Sequence, residues 1–64
     1  MLVRVDIYSG QTKTSSTVSP YGAEVIRDRL ARTPPMRWLV IDGSPLIWVR
    51  INRIDAISFY EVPE

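Results

Sequence analysis

Neither cysteine nor histidine occurs among the 64 residues of the sequence. The chain therefore forms no disulfide bond and supplies no thiolate for redox or nucleophilic chemistry. The usual zinc, copper and iron sites are also excluded, because carboxylates alone suit hard cations. We expect no metal site and no cofactor.

These absences also argue against catalysis. Histidine is the commonest general base, and Ser-His-Asp and Cys-His arrangements cannot be built without it. The three glycines, Gly10, Gly22 and Gly43, are isolated, so no glycine-rich phosphate loop is present. Glu24 and Asp28 share a helix face, but solvated helix faces commonly carry such pairs. We predict that the protein is not an enzyme.

The charge is nearly balanced, with eight basic and seven acidic residues and a net charge of +1. Such a balance provides no overall attraction to nucleic acid or to a membrane surface. No apolar run approaches the roughly 20 residues of a membrane span. The opening residues, MLVRVDIYSG, carry charges within their apolar run, unlike a signal peptide. We expect a single cytoplasmic domain, 1–64, with no membrane association.

The first third of the chain has the pattern of β-strands. Leu2–Tyr8 alternates between apolar and polar residues, which predicts a half-buried strand, and Ser9-Gly10-Gln11 interrupts it. Thr12–Val18 is polar and rich in threonine. It is either an edge strand that closes a hairpin with the first strand or a mobile loop, and we favour the hairpin.

A helix follows. Ser19-Pro20 combines a hydroxyl N-cap with proline at the first helical position. Small and apolar residues then recur with helical spacing and predict one buried face: Gly22, Ala23, Ile26, Leu30 and Thr33. Pro34-Pro35 ends the helix, since a residue before proline is driven out of helical geometry.

The second half of the chain is again extended. Met36–Ile41 and Leu46–Ile51 flank the turn residues Asp42-Gly43-Ser44-Pro45 and predict a hairpin. After a short connection, Ala56–Val62 predicts a last strand. The fold class is therefore α+β, a single helix packed on a small, mainly antiparallel sheet, in the order β-(β)-α-β-β-β.

The predicted hairpin, WLVIDGSPLIWV, is apolar on both faces. Trp38 and Val40 point to one side, while Leu39 and Ile41 point to the other. One helix covers only one face, and an uncovered antiparallel face is normally polar. Either another copy or another protein buries the second face, or the sheet curls into a small barrel. We favour a partner, which predicts a homo-oligomer, either a dimer or a ring.

Aromatic residues and arginine dominate binding hot spots. The candidate interaction residues for self-association or a protein partner are Trp38, Trp48, Arg50, Phe59 and Tyr60. A sheet that binds single-stranded nucleic acid is the alternative, with cations beside aromatics at Arg4, Arg37, Arg50 and Arg53. A nucleotide-sized ligand at a subunit junction is a third hypothesis. A protein partner is preferred because a net charge of +1 is no clear basic excess.

The C-terminal segment, WVRINRIDAISFYEVPE, spaces Ile51, Ile54 and Ile57 evenly before Phe59 and Tyr60. This ending, about a quarter of the chain, resembles the close of many small uncharacterised bacterial and bacteriophage proteins. It is a packing pattern and transfers no site residues. The resemblance implies a phage accessory protein, and by analogy a modulator that binds a host protein.

Overall fold

The computed structural model describes residues 1–34 and 36–63. The elements in these ranges are β1 (Leu2–Ser9), β2 (Thr12–Val18), α1 (Pro20–Arg32), β3 (Trp38–Ile41), β4 (Ile47–Arg50), a 3-10 helix (Ile51–Arg53) and β5 (Ala56–Val62). The predicted α+β class, with one helix on antiparallel strands, is confirmed. Two strands are shorter than predicted, because Met36 lies in a turn before β3 and Ile51 begins the 3-10 helix.

The strands form two antiparallel sheets where a single sheet was predicted. One sheet has the order β2-β1-β5, and the other is the β3–β4 hairpin. The predicted hairpin between the first two strands is confirmed, so Thr12–Val18 is a strand. Its turn has Ser9 opposite Thr12, and Gly10 has a φ of +61°. Glycine adopts this φ without the steric penalty that other residues meet.

The two sheets are joined where the β3–β4 turn meets β2. The N–H of Thr17 donates to the carbonyl of Ser44 at 3.1 Å, and the N–H of Ser44 donates back to Thr17 at 2.9 Å. The hydroxyl of the buried Ser16 donates to the Pro45 carbonyl at 2.6 Å. A Cβ on Gly43 would lie 2.5 Å from the Thr17 carbonyl oxygen, so only glycine permits this close approach.

Helix α1 begins and ends as predicted. The Gly22 N–H donates to the Ser19 hydroxyl at 3.0 Å, and Pro20 occupies the first turn. At the other end, Thr33 is extended and its N–H donates to the Arg29 carbonyl. In the two described ranges of the chain, no helix combines the length and the apolar character needed to cross a membrane.

The core is enclosed by α1 and by the inner faces of the two sheets. Helix α1 contacts β1, β2 and β3. Its buried apolar residues are Val3, Val5, Ile7, Val18, Ala23, Ile26, Leu39 and Ile41. The two sheets are thus bent around one core. Leu39 and Ile41 lie on the hairpin face that is buried in this core. The opposite face carries Trp38 and Trp48 and is exposed to solvent.

Candidate binding surface

Two exposed tryptophans lie on the outer face of the β3–β4 hairpin. The strand register places Val40 opposite Trp48 and Trp38 opposite Arg50. Side chains directly across a strand pair are neighbours on one face, so these four residues form a continuous surface, called here the tryptophan face. Trp38 is 51% exposed and Trp48 is 63% exposed. Three of the predicted interaction residues, Trp38, Trp48 and Arg50, are therefore brought together.

A cleft of about 450 Å³ opens beside the tryptophan face. Its lining is Ser9, Trp38, Trp48, Val49, Arg50 and Arg53, and it is called here the tryptophan cleft. The 3-10 helix that follows β4 carries Arg53. This helix is held because the Ile51 N–H donates to the Arg37 carbonyl at 3.1 Å. Arg53, a candidate for nucleic-acid binding, thus lines the same cleft as the two tryptophans.

A second cleft, of about 410 Å³, is also bordered by Trp38. Arg29 and Arg32 from the last turn of α1, together with Arg37, line this arginine cleft. Sequence reasoning included Arg37 but missed Arg29 and Arg32, whose position at a helix C-terminus is explained by the helix dipole alone. Only the packing of α1 against β3 reveals that both arginines also border Trp38.

The two clefts concentrate positive charge that the net charge conceals. Among residues 1–34 and 36–63, no Asp or Glu lines either cleft, although five arginines do. Arg32 is partly neutralised by Asp28, with 3.0 Å between Nε and Oδ1. Apart from Asp28, no described carboxylate forms an ion pair with these five arginines.

The remaining nucleic-acid candidate, Arg4, lies on the outer face of the β2-β1-β5 sheet. It stands opposite Tyr60, with 4.8 Å between its Cζ and the ring centroid. The same face contains Asp6, which is 1% exposed although it points away from the core. Arg4 and Tyr60 line neither cleft, so the structure separates them from the two tryptophans.

Asp6 is held by polar neighbours on its own face of the sheet. The Ser15 hydroxyl donates to Oδ1 at 2.7 Å, Arg4 Nε lies 3.3 Å from Oδ1, and Lys13 Nζ lies 3.7 Å from Oδ2. The hydrogen bond from Ser15 and the two positive charges lower the pKa of the Asp6 carboxyl, against the opposing effect of burial. Asp6 is thus a structural anion that organises three side chains around it.

Phe59 lies apart from the other predicted interaction residues. It is half-buried, packs against the core on the inner side of β5, and has Arg27 over its ring at 4.3 Å. Alternation along β5 explains the difference, because adjacent residues of a strand point to opposite faces. Phe59 thus packs inward while Tyr60 is exposed on the other face.

Comparison of the chain with protein-family models, with curated proteins and with solved structures finds no match.

Proposed function

We propose that the protein is a small, non-catalytic binding module and that the tryptophan face is its working surface. The observation that carries this proposal is the exposure of Trp38 and Trp48, diagonal neighbours on a hairpin whose other face is buried along β3 and partly buried along β4. Clustered apolar exposure of this kind usually marks an interaction site. Tryptophan and arginine are also the residues that contribute most to binding hot spots.

The position of the face supports a binding role over a packing role. The core is completed without either indole, since Leu39 and Ile41 bury the inner face of β3. Both tryptophans could be replaced without opening a cavity in that core. Their retention on the surface of so small a domain is explained most simply by a partner that covers them.

A capture experiment tests this proposal. The immobilised protein and a Trp38→Ser/Trp48→Ser variant are incubated with bacterial lysate, with and without nuclease, and the retained macromolecules are compared. Tyr21→Ser is the matched control, because Tyr21 is an exposed aromatic of α1 that lines neither cleft. The double variant should lose a component that the wild type and the control retain. Identical retention by all three folded proteins would refute the proposal.

Self-association is proposed through a different surface. In a two-fold dimer the same patch meets itself, so pairing of two tryptophan faces would bring Arg50 and Arg53 near their own copies. On the outer side of the β2-β1-β5 sheet the exposed cations, Arg4 and Lys13, both pair with Asp6, which reduces this repulsion. There Leu2 and Tyr60 are exposed, and β5 pairs only with β1 among the described strands. β5 also lacks the lysine and proline that commonly protect sheet edges.

Light scattering across a range of concentrations tests self-association. The wild type should form a dimer or a larger ring, and Tyr60→Lys should shift the mass toward the monomer. Trp48→Ser should leave the mass unchanged. A monomer at every concentration would refute this proposal without affecting the one for the tryptophan face. The phage-modulator function and the small-ligand hypothesis stay predictions.

A further inference from the structure

The two clefts that Trp38 borders have the composition of a site for a polyanion with flat apolar groups. The tryptophan cleft provides Arg50 and Arg53, and the arginine cleft provides Arg29, Arg32 and Arg37. Trp38 borders both clefts. We propose that this surface binds single-stranded nucleic acid, with bases stacked at the tryptophans and phosphates along the arginines. The proposal names the partner class of the tryptophan face and rests on the function proposed above.

Charge complementarity is the first argument for this partner. Only Arg32 of the five arginines forms an ion pair with a described carboxylate, namely Asp28. None of the other four lies within ion-pair distance of a carboxylate in the part of the chain described. A backbone with one negative charge per nucleotide supplies several partners in a row. The balanced overall charge no longer weighs against this partner, because the cations are concentrated around the two clefts.

The available ring faces are the second argument. Arg50 lies over one face of Trp38, at 5.1 Å from its centroid, while Trp48 is the more exposed of the two rings. An indole or a planar guanidinium accepts a stacked base of any sequence. Bases of a duplex are already stacked on each other and present no free face, so the site suits a single strand. An acidic peptide would satisfy the arginines but would leave the exposed indoles without a purpose.

The binding test uses a fluorescein-labelled thymidine oligonucleotide of about 15 bases, since known single-strand sites span roughly 4–16 nucleotides per domain. Fluorescence anisotropy is followed between about 50 and 200 mM salt, a range over which phosphate contacts weaken strongly. We expect saturable binding whose affinity falls with salt, with a logarithmic slope of about −2 to −3 for three to four phosphate contacts. Emission from Trp48 should be quenched when a base stacks on its ring.

Three variants separate this site from general attraction between opposite charges. Trp48→Ser should weaken binding about tenfold, since one stacked base contributes about that much. Arg53→Gln should weaken binding and reduce the salt slope by about 0.7, the value for one single-strand phosphate contact. Arg27→Gln removes the same charge at a position that lines neither cleft, and it should leave both quantities unchanged. Thermal unfolding confirms that each variant is folded.

Several results would overturn the inference. The first is absence of oligonucleotide binding at low salt. The second is an equal loss of oligonucleotide affinity in Arg27→Gln and Arg53→Gln. The third is binding to a poly-glutamate peptide or to anionic phosphatidylserine vesicles but not to the oligonucleotide. The capture experiment separates this failure from failure of the proposed function. If the tryptophan face still retains a component from nuclease-treated lysate, the binding module stands and only its partner class is wrong. If nothing is retained and no oligonucleotide binds, both proposals fail.

Discussion

The guanidinium of Arg50 lies over the indole of Trp38, with 5.1 Å between Cζ and the ring centroid. The contact follows from strand register, because the two residues are directly opposite in the β3–β4 ladder. A cation over an exposed aromatic ring contributes about 0.5–1 kcal/mol. The larger consequence is orientation, since Arg50 restrains the ring of Trp38 and leaves the ring of Trp48 as the freer surface.

Replacement of a surface tryptophan should cost far less stability than replacement of a core residue in the same hairpin. Trp48→Ser should change the free energy of unfolding by less than about 1 kcal/mol, since Trp48 is 63% exposed. Leu39→Ala should cost about 2–5 kcal/mol, because Leu39 is fully buried. Urea unfolding at neutral pH measures both. A similar loss in the two variants would assign Trp48 to the core.

The charge on Asp6 should stabilise the fold at neutral pH and cease to do so in acid. Its pKa is lowered in the folded protein, so its contribution is complete above the unfolded value of about 3.9 and is lost as pH falls through the folded value. Asp6→Asn should therefore be less stable than the wild type at pH 7, by about 1–3 kcal/mol for a hydrogen-bonded charged group.

Urea unfolding of both proteins from pH 7 down to about pH 2 tests this dependence, and the difference should shrink at the acidic end. Asp42→Asn, which removes an exposed carboxylate at the hairpin turn, controls for the loss of one negative charge. If the difference in the free energy of unfolding between wild type and Asp6→Asn does not change with pH, the charge of Asp6 does not contribute to stability.

Gly43 should be intolerant of a side chain for steric reasons. A Cβ there would lie 2.5 Å from both the Ser16 hydroxyl and the Thr17 carbonyl oxygen, so the hairpin turn would be forced away from β2. We expect Gly43→Ala to cost more than about 2 kcal/mol, in line with overpacking of a close contact. Gly10→Ala serves as the comparison, since nothing lies within 4 Å of its Cβ position.

Gly10→Ala should instead cost about 1–2 kcal/mol, the penalty for a positive φ in a residue with a side chain. Hydrogen exchange distinguishes the two effects. Gly43→Ala should lose protection at the Thr17 and Ser44 amides, whereas Gly10→Ala should keep it. Retained protection at both amides in Gly43→Ala would contradict the steric explanation.

Phe59 should contribute more to the stability of the fold than its neighbour Tyr60, which lies on the surface. Phe59→Ala should cost about 2–3 kcal/mol, below the range for a fully buried phenylalanine because the ring is only partly covered. Tyr60→Ala should cost about 1 kcal/mol or less, since the residue is 44% exposed. Thermal unfolding monitored by circular dichroism measures both. A reversed order would mean that Tyr60 is the better buried of the pair.

Strand length was the least accurate part of the sequence prediction. The two hairpin strands were expected at Met36–Ile41 and Leu46–Ile51, six residues each, yet each forms only four residues of ladder. At the turn, the Ser44 N–H bonds to the Thr17 carbonyl of β2, and at the other end Ile51 begins the 3-10 helix although its N–H still bonds to Arg37. Residue propensity carries no information about such contacts, which depend on how the hairpin docks.

The order of elements, the start of α1 at Pro20 behind the Ser19 cap and the opposite directions of Phe59 and Tyr60 follow from the sequence. Each depends on neighbours within a few positions, through capping, turn chemistry or strand alternation. Tertiary packing alone decides that the two sheets meet at Gly43 and that Arg29 and Arg53 line clefts bordered by the same tryptophan. Arg29 lies near Trp38 because α1 packs against β3, and Arg53 because the 3-10 helix directly follows β4, which pairs with β3. These contacts join residues far apart in the sequence, so neighbouring residues do not predict them.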